Sequence, residues 1–445
     1  MSIRKRLRSK AINLLIDTRL RNAKRMGVEL GRRVTGKAHE VSAFLQLDDP
    51  YSYLLSVYLP ALAKAYDIEL KVCLMQQLGG EFTPKPAQLA EYAVTDCRLL
   101  ASELAVPFLD KGNTPVVEHR RALLDVLARE AGQQEFAEFC NEALAAYWRG
   151  DAEGVARLVG GFASDGSAQD VIERNSAELR KLGHYNSAML HYGGEWYWGV
   201  DRLHHLASRL ENLGLSRDKK LPESLLSIQQ TFQIILPAAA PKRAETLPPL
   251  ELFYSFRSPY SYLALGPVSS IADAFGIRLD IRPVLPMVMR GLQVPKTKLM
   301  YIATDAKREA ERLNVPFARF CDPVGAGAER CMAVFAYAKQ EGRERDFVLA
   351  AGNAIWNEGI DVASDKGLRH VTEQAGMFWP EVTTALNEDG WRELSEQNRA
   401  AMTEVGMWGV PTFKLGDVVL WGQDRAWLLA RQIEDLCQDG QGILE

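Results

Sequence analysis

Leu250-Glu251-Leu252-Phe253-Tyr254-Ser255-Phe256-Arg257-Ser258-Pro259-Tyr260-Ser261-Tyr262-Leu263 is the stretch on which the fold turns. Its first seven residues are aromatic and apolar and predict a strand. Ser258-Pro259 then supplies an N-cap residue and a proline at the first helical position, where a missing N–H costs nothing. The predicted helix runs to about Phe275, and Gly276 ends it. Ile277 to Val284 predicts a second strand. Strand–helix–strand order requires a crossover, so the two strands pair in parallel.

Working outward, residues 298–312 and most of 329–402 read as helices. Pro411 to Leu420 reads as a hairpin around Gly416-Asp417, and Asp424 to about Cys437 as a final amphipathic helix. A βαβ half and a ββα half separated by helices describe an α/β, thioredoxin-type sheet with a helical insertion.

The same stretch occurs twice. Residues 41–108 lie over 250–317 without a gap, and 19 of the 68 positions are identical. Pro50-Tyr51-Ser52-Tyr53-Leu54 matches Pro259-Tyr260-Ser261-Tyr262-Leu263. Later, Trp148 pairs with Trp356, and Trp198-Gly199-x-Asp201-Arg202 with Trp421-Gly422-x-Asp424-Arg425. A period this long excludes a solenoid and predicts two tandem units. Prolines at 237, 241, 248 and 249 break the chain between them. The expected organisation is a basic helical extension over 1–39, a first unit over 40–215, a linker over 216–249 and a second unit over 250–445.

Composition agrees with this. A chain of 445 residues at 47% hydrophobic and 25% charged has material for more than one core. Net charge is −4, which gives no case for nucleic-acid binding. Residues 1–37, however, hold twelve Lys/Arg against Asp17 and Glu29, a net of +10. Their apolar run, Ala11 to Ile16, is too short for a secretory signal. The segment reads as a basic amphipathic helix. Docking on the acidic remainder is the preferred reading, with an anionic membrane surface the less favoured alternative. Six scattered cysteines form no C-x-x-C pair and no zinc spacing, so a reducing cytoplasm is the expected location.

Three motifs in the second unit resemble one family. Phe253-x-x-Phe256-x-Ser258-Pro259-Tyr260-Ser261-Tyr262-Leu263-Ala264 is similar to the opening of 2-hydroxychromene-2-carboxylate isomerases and kappa-class glutathione transferases. Asn353-Ala354-Ile355-Trp356-Asn357-Glu358-Gly359 resembles their helical signature. Gly409-Val410-Pro411-Thr412-Phe413 and Trp421-Gly422-Gln423-Asp424-Arg425 resemble their C-terminal one. The resemblance implies two tandem DsbA-like thioredoxin domains, the first more weakly matched, each with an inserted helical subdomain.

The resemblance also implies a site and a chemistry. Redox members of the superfamily place C-x-x-C at the first helix N-terminus; here both sulfur positions are serine, so dithiol exchange is disfavoured. Ser258 is the implied catalytic residue, donating a hydrogen bond to the glutathione sulfur at a helix end that favours anions. Val410, before an implied cis Pro411, would pair with the cysteinyl backbone. Gln423 and Asp424 would grip the γ-glutamyl end. Tyr260 and Trp356, with Met287 and Met289, are candidates for the substrate pocket; core packing is the competing reading for each. Lys296 and Lys298 read as surface residues, and no metal site is expected. The implied reaction is thiolate addition to a conjugated bond of a small electrophilic, aromatic substrate, followed by elimination in an isomerase.

The first unit departs from this pattern. Asp49 stands where the second has Ser258, Ala188 where it has Pro411, and Val200 where it has Gln423. It reads as a degenerate, structural copy; the resemblance, to a family whose single-unit members are dimers, implies an intrachain pseudo-dimer, with a homo-oligomer as the alternative. A non-catalytic scaffold or binding protein is the alternative function. A hydrolase reading of Ser258 lacks support, since His370 is the second unit's single histidine.

Overall fold

The computed structural model describes residues 3–77, 79–110, 113–133, 135–161, 164–218 and 222–438. It divides into two compact bodies. The first is Asn22–Phe232; the second joins Met1–Arg21 to Gln233–Glu445. The boundary at residue 22 falls inside the second of two opening helices, α1 (Ile3–Ile16) and α2 (Thr18–Thr35).

The first body continues with β1 (Glu40–Leu45), α3 (Pro50–Ala65) and β2 (Glu69–Leu74). The helices α4 (Pro86–Glu103), α5 (Arg120–Glu130), α6 (Phe136–Trp148), α7 (Ala152–Val159) and α8 (Ser167–Leu182) follow. The hairpin β3 (Met189–Tyr192) and β4 (Glu195–Trp198) completes the sheet, and α9 (Leu203–Asn212) and α10 (Glu223–Thr231) close the body. The second body runs β5 (Leu250–Tyr254), α11 (Pro259–Phe275) and β6 (Leu279–Pro283). Its inserted helices are α12 (Lys296–Arg312), α13 (Ala326–Gln340), α14 (Glu344–Asn353), α15 (Asp365–Gln374), α16 (Trp379–Ala385) and α17 (Gly390–Glu404). The hairpin β7 (Thr412–Leu415) and β8 (Val418–Trp421) then leads into α18 (Ala426–Gln438).

The two sheets have the same order, β2-β1-β3-β4 and β6-β5-β7-β8. In each, the first two strands are parallel and the hairpin antiparallel. The central strand β5 is buried along its whole length, which is why Leu250 to Tyr254 reads as an apolar run rather than an alternation. The helix start at Ser258 and the stop at Gly276, which sits at φ 71°, fall where the residue types require. The registers Met189↔Trp198 and Thr412↔Trp421 place Ala188 and Pro411 at equivalent points.

The segment expected as a linker, 216–249, is not bare chain. Its first half holds α10, with Leu225 and Ile228 buried, and its second half one 3₁₀ turn at Lys242–Thr246 that buries Ala244. Two apolar residues three apart are too short a period to stand out in sequence. The basic N-terminus likewise divides: α1 belongs to the second body. Its Ile12 and Ile16 are buried, Asn13 bonds both the N–H (2.7 Å) and the carbonyl (3.2 Å) of Phe320, and Arg8 reaches Asp322 (3.0 Å). No helix among the described residues is long and apolar enough to cross a membrane.

Candidate active site

Ser258 caps α11. Its Oγ accepts from the Ser261 N–H at 3.1 Å and, as a donor, lies 3.4 Å from the Val410 carbonyl oxygen. The Val410–Pro411 bond is cis. The sheet therefore brings the hydroxyl at the positive end of a 17-residue helix against the loop that precedes β7. Ser261, the second serine of the motif, is fully buried and accepts from the Ser255 N–H at 3.3 Å. It braces the turn and does not reach the surface.

The 408–412 loop is held from several sides. Arg290 donates to the Trp408 carbonyl at 3.0 Å, and burial, then Arg399, draws its pKa down to about 10. Thr412 Oγ1 donates to the Gly409 carbonyl at 2.9 Å. Gly409 passes directly under Trp421: a Cβ there would stand 2.5 Å from the indole, which nothing but glycine tolerates. Trp421 also packs on Trp408, with ring centroids 5.1 Å apart.

Beside Ser258, Arg257 grips Asp322 with Nε at 2.8 Å and Nη2 at 3.2 Å. Asp322 is fully buried and also receives Arg8 and the Val324 N–H. Burial alone would raise its pKa, but Arg257 and Arg8 hold the carboxyl below its usual range. Its own N–H donates to Ser9 Oγ at 3.1 Å. Sequence reasoning missed this cluster. Arg257 and Asp322 are 65 residues apart and Arg8 lies further still, so no local signal joins them.

The remaining predicted residues divide. Asp424 is half-buried in the turn after β8 and lies 3.8 Å from its neighbour Arg425. Gln423 is buried, and its amide nitrogen donates to Glu309 at 2.9 Å, so that donor faces the interior. Tyr260 donates to the buried Asp305 at 2.7 Å, as Tyr51 does to Asp96 at 2.8 Å in the first body. Trp356 is 3% exposed and stacks between Phe317 and Phe320, at 5.2 and 4.3 Å. It is a core residue, as is Trp148, whose Nε1 donates to the Leu47 carbonyl. Met289 accepts from the Gly325 N–H through sulfur. Burial lowers the Lys298 pKa, whereas Lys296 is exposed. A cavity of about 340 Å³ in this body lies among Ala333, Tyr337, Ala385 and Trp391, apart from Ser258.

No histidine bonds the Ser258 hydroxyl among the described residues; His370 pairs with Glu358 at 3.1 Å. All six cysteines are buried, and none of them forms a disulfide. Burial pushes Cys140 and Cys331 up to about 12 and Cys321 up to about 11, so these thiols stay protonated and unreactive. In the first body, Asp49 caps α3 through the Tyr51 N–H (3.2 Å) and Ser52 Oγ (2.8 Å), and desolvation raises its pKa. The imidazoles of His204 and His205 lie against each other, with ring centroids 4.1 Å apart.

Residues 249–434 match the model of the DSBA-like thioredoxin domain. A 2-hydroxychromene-2-carboxylate isomerase from Pseudomonas putida is 28% identical over 204 residues, 44% of this chain and 98% of that protein. Glutathione S-transferase kappa 1 of Rattus norvegicus is 26% identical over 200 residues, 41% of this chain and 88% of that protein. A solved 2-hydroxychromene-2-carboxylate isomerase structure aligns at 28% identity and a TM-score of 0.38, over 44% of this chain and 99% of that one.

Proposed function

We propose that residues 249–434, which belong to the DSBA-like thioredoxin domain family, form a glutathione-dependent isomerase or transferase site for a small electrophilic, aromatic compound. The observation that carries this reading is Ser258 Oγ at the N-terminus of α11, facing the cis Val410–Pro411 bond. The 3.4 Å contact to Val410 is at the limit of a hydrogen bond, so the hydroxyl proton is easily re-aimed. Ser258 donates a hydrogen bond to the glutathione sulfur and keeps its proton, and the helix end favours the thiolate, whose own thiol proton leaves to solvent. Val410 offers its backbone to the cysteinyl residue as a short added strand. Asp424 takes the γ-glutamyl ammonium, and Gln423, anchored on Glu309, holds the turn that carries Asp424. Catalysis comes from lowering the thiol pKa and positioning it against the electrophile.

The first body supports a narrower role. Its sheet order is the same, but a carboxylate replaces the serine and Ala188 replaces the proline. We read it as a second thioredoxin-like copy without a thiol site. Buried cysteines outside any disulfide suit a reducing cytoplasm.

Calorimetric titration of the full chain with glutathione tests the assignment, alongside Ser258→Ala and Asp424→Ala. The expected result is saturable binding at one site per chain, weakened by both substitutions. An absence of binding at millimolar glutathione would favour the non-catalytic scaffold.

A further inference from the structure

We propose that α2 is a docking helix for an anionic lipid surface. No side chain of this helix is buried, and three of its large apolar residues are strongly exposed. Met26 is 68% exposed, Leu30 65% and Val34 79%. Residues four apart return to nearly the same face of an α-helix, so these three make one stripe. Leu20, also exposed, widens it on the Val34 side, whereas Val28 lies on the opposite face beside Arg25 and Arg32.

The opposite side of α2 is charged and held. Arg25 forks onto Glu195 at 2.7 and 2.8 Å, and Arg32 forks onto Glu29 at 2.9 and 2.8 Å. A surface helix ordinarily turns its apolar stripe inward and its charges outward. Here the arrangement is reversed, so packing within the chain does not account for the stripe. The sequence pattern alone favoured docking of this segment on the acidic body; the orientation of α2 removes that reading for its apolar side.

Charge selects the occupant. On the helical wheel, exposed Arg33 borders the stripe on the Met26 side, Lys24 lies beyond Leu20 on the other, and Arg19 stands at the N-terminal end of the stripe itself. Glu29 is the single acidic residue of the helix, and two arginines already pair with it. The same face of a second copy would bring like charge against this one. A nucleic acid would use the charge and leave the apolar stripe in water. An anionic bilayer uses both: the stripe enters the headgroup–acyl boundary, and the basic residues stay at the phosphates. A stripe of this size supports reversible adsorption, not insertion.

Co-sedimentation of the full-length protein with vesicles tests this. One set is phosphatidylcholine alone; the other carries about a third phosphatidylserine. The expected result is binding to the anionic vesicles only, weakened by added salt. Met26→Ser with Leu30→Ser and Val34→Ser should weaken it at least about tenfold, and so should Arg19→Gln with Lys24→Gln and Arg33→Gln. These side chains are exposed, so circular dichroism should show both variants folded. Failure of the native protein to bind anionic vesicles would overturn the proposal, as would binding that ignores the serine substitutions. A lipid-free dimer dissociated by those substitutions would assign the stripe to a second copy instead, which also overturns it.

Discussion

Ser258 shows what a single residue type can and cannot reveal. The sequence Ser258-Pro259 marks a helix start by local chemistry alone, and the hydroxyl does cap α11. Its second contact, to Val410, joins positions 152 residues apart and became legible through the motif around Pro411. Gln423 and Trp356 read less well: both are of suitable type, yet one bonds Glu309 and the other fills an aromatic stack. Arg257 and Asp322 were not legible at all, because an ion pair leaves no mark in sequence spacing. That pair carries a pH prediction. The Asp322 pKa lies below its unfolded value, so its contribution is fully present above the unfolded pKa and is lost as pH falls through the lower folded one. Asp322→Asn should cost about 3 kcal/mol at neutral pH, by leaving Arg257 unpaired beside Ser258. Denaturant titrations of both proteins should begin to converge only as pH falls below about 4.

At the scale of elements, strands and helix caps were more legible than boundaries. The repeat fixed β5, α11 and β6 to within a few residues, since apolar pattern and glycine stop agree there. The N-terminal segment was harder, since its charge dominates its pattern. Its α1 acts as a clamp: Asn13 bonds the Phe320 backbone twice, and the neighbouring Cys321 N–H bonds the Ile355 carbonyl, next to Trp356. Asn13→Ala should destabilise the second body by about 1–3 kcal/mol, because it strands the Phe320 N–H and carbonyl, and hydrogen exchange at Phe320 should rise with it. In the first body, β3 carries His191, packed on Trp196 at 4.5 Å. Desolvation, then Arg209, lowers its pKa from 6.5 to about 4. The neutral ring is therefore the stable one. Stability is full above 6.5 and is lost as pH falls toward about 4. His191→Gln should flatten that slope in thermal melts taken across this window.

Over the whole molecule, the two sheets share an order that the 209-residue repeat makes readable from the sequence. The division of the chain was less readable, because α1 joins a body that begins again only at Gln233. Contacts between distant segments decide such a boundary, and composition does not encode them. The chemical asymmetry between the bodies was legible, because it lies in side-chain identity: a serine and a cis proline in one, an aspartate and an alanine in the other. The account predicts that one body activates a thiol and the other does not. The direct measurement is a pH titration of glutathione thiolate absorbance in the presence of saturating protein, with native Ser258 and with Ser258→Ala. A bound thiol ionising at least about one unit below the free value near 8.5, and returning toward it in Ser258→Ala, is the predicted result. Bound glutathione that ionises at its free value in the native protein would contradict the central claim.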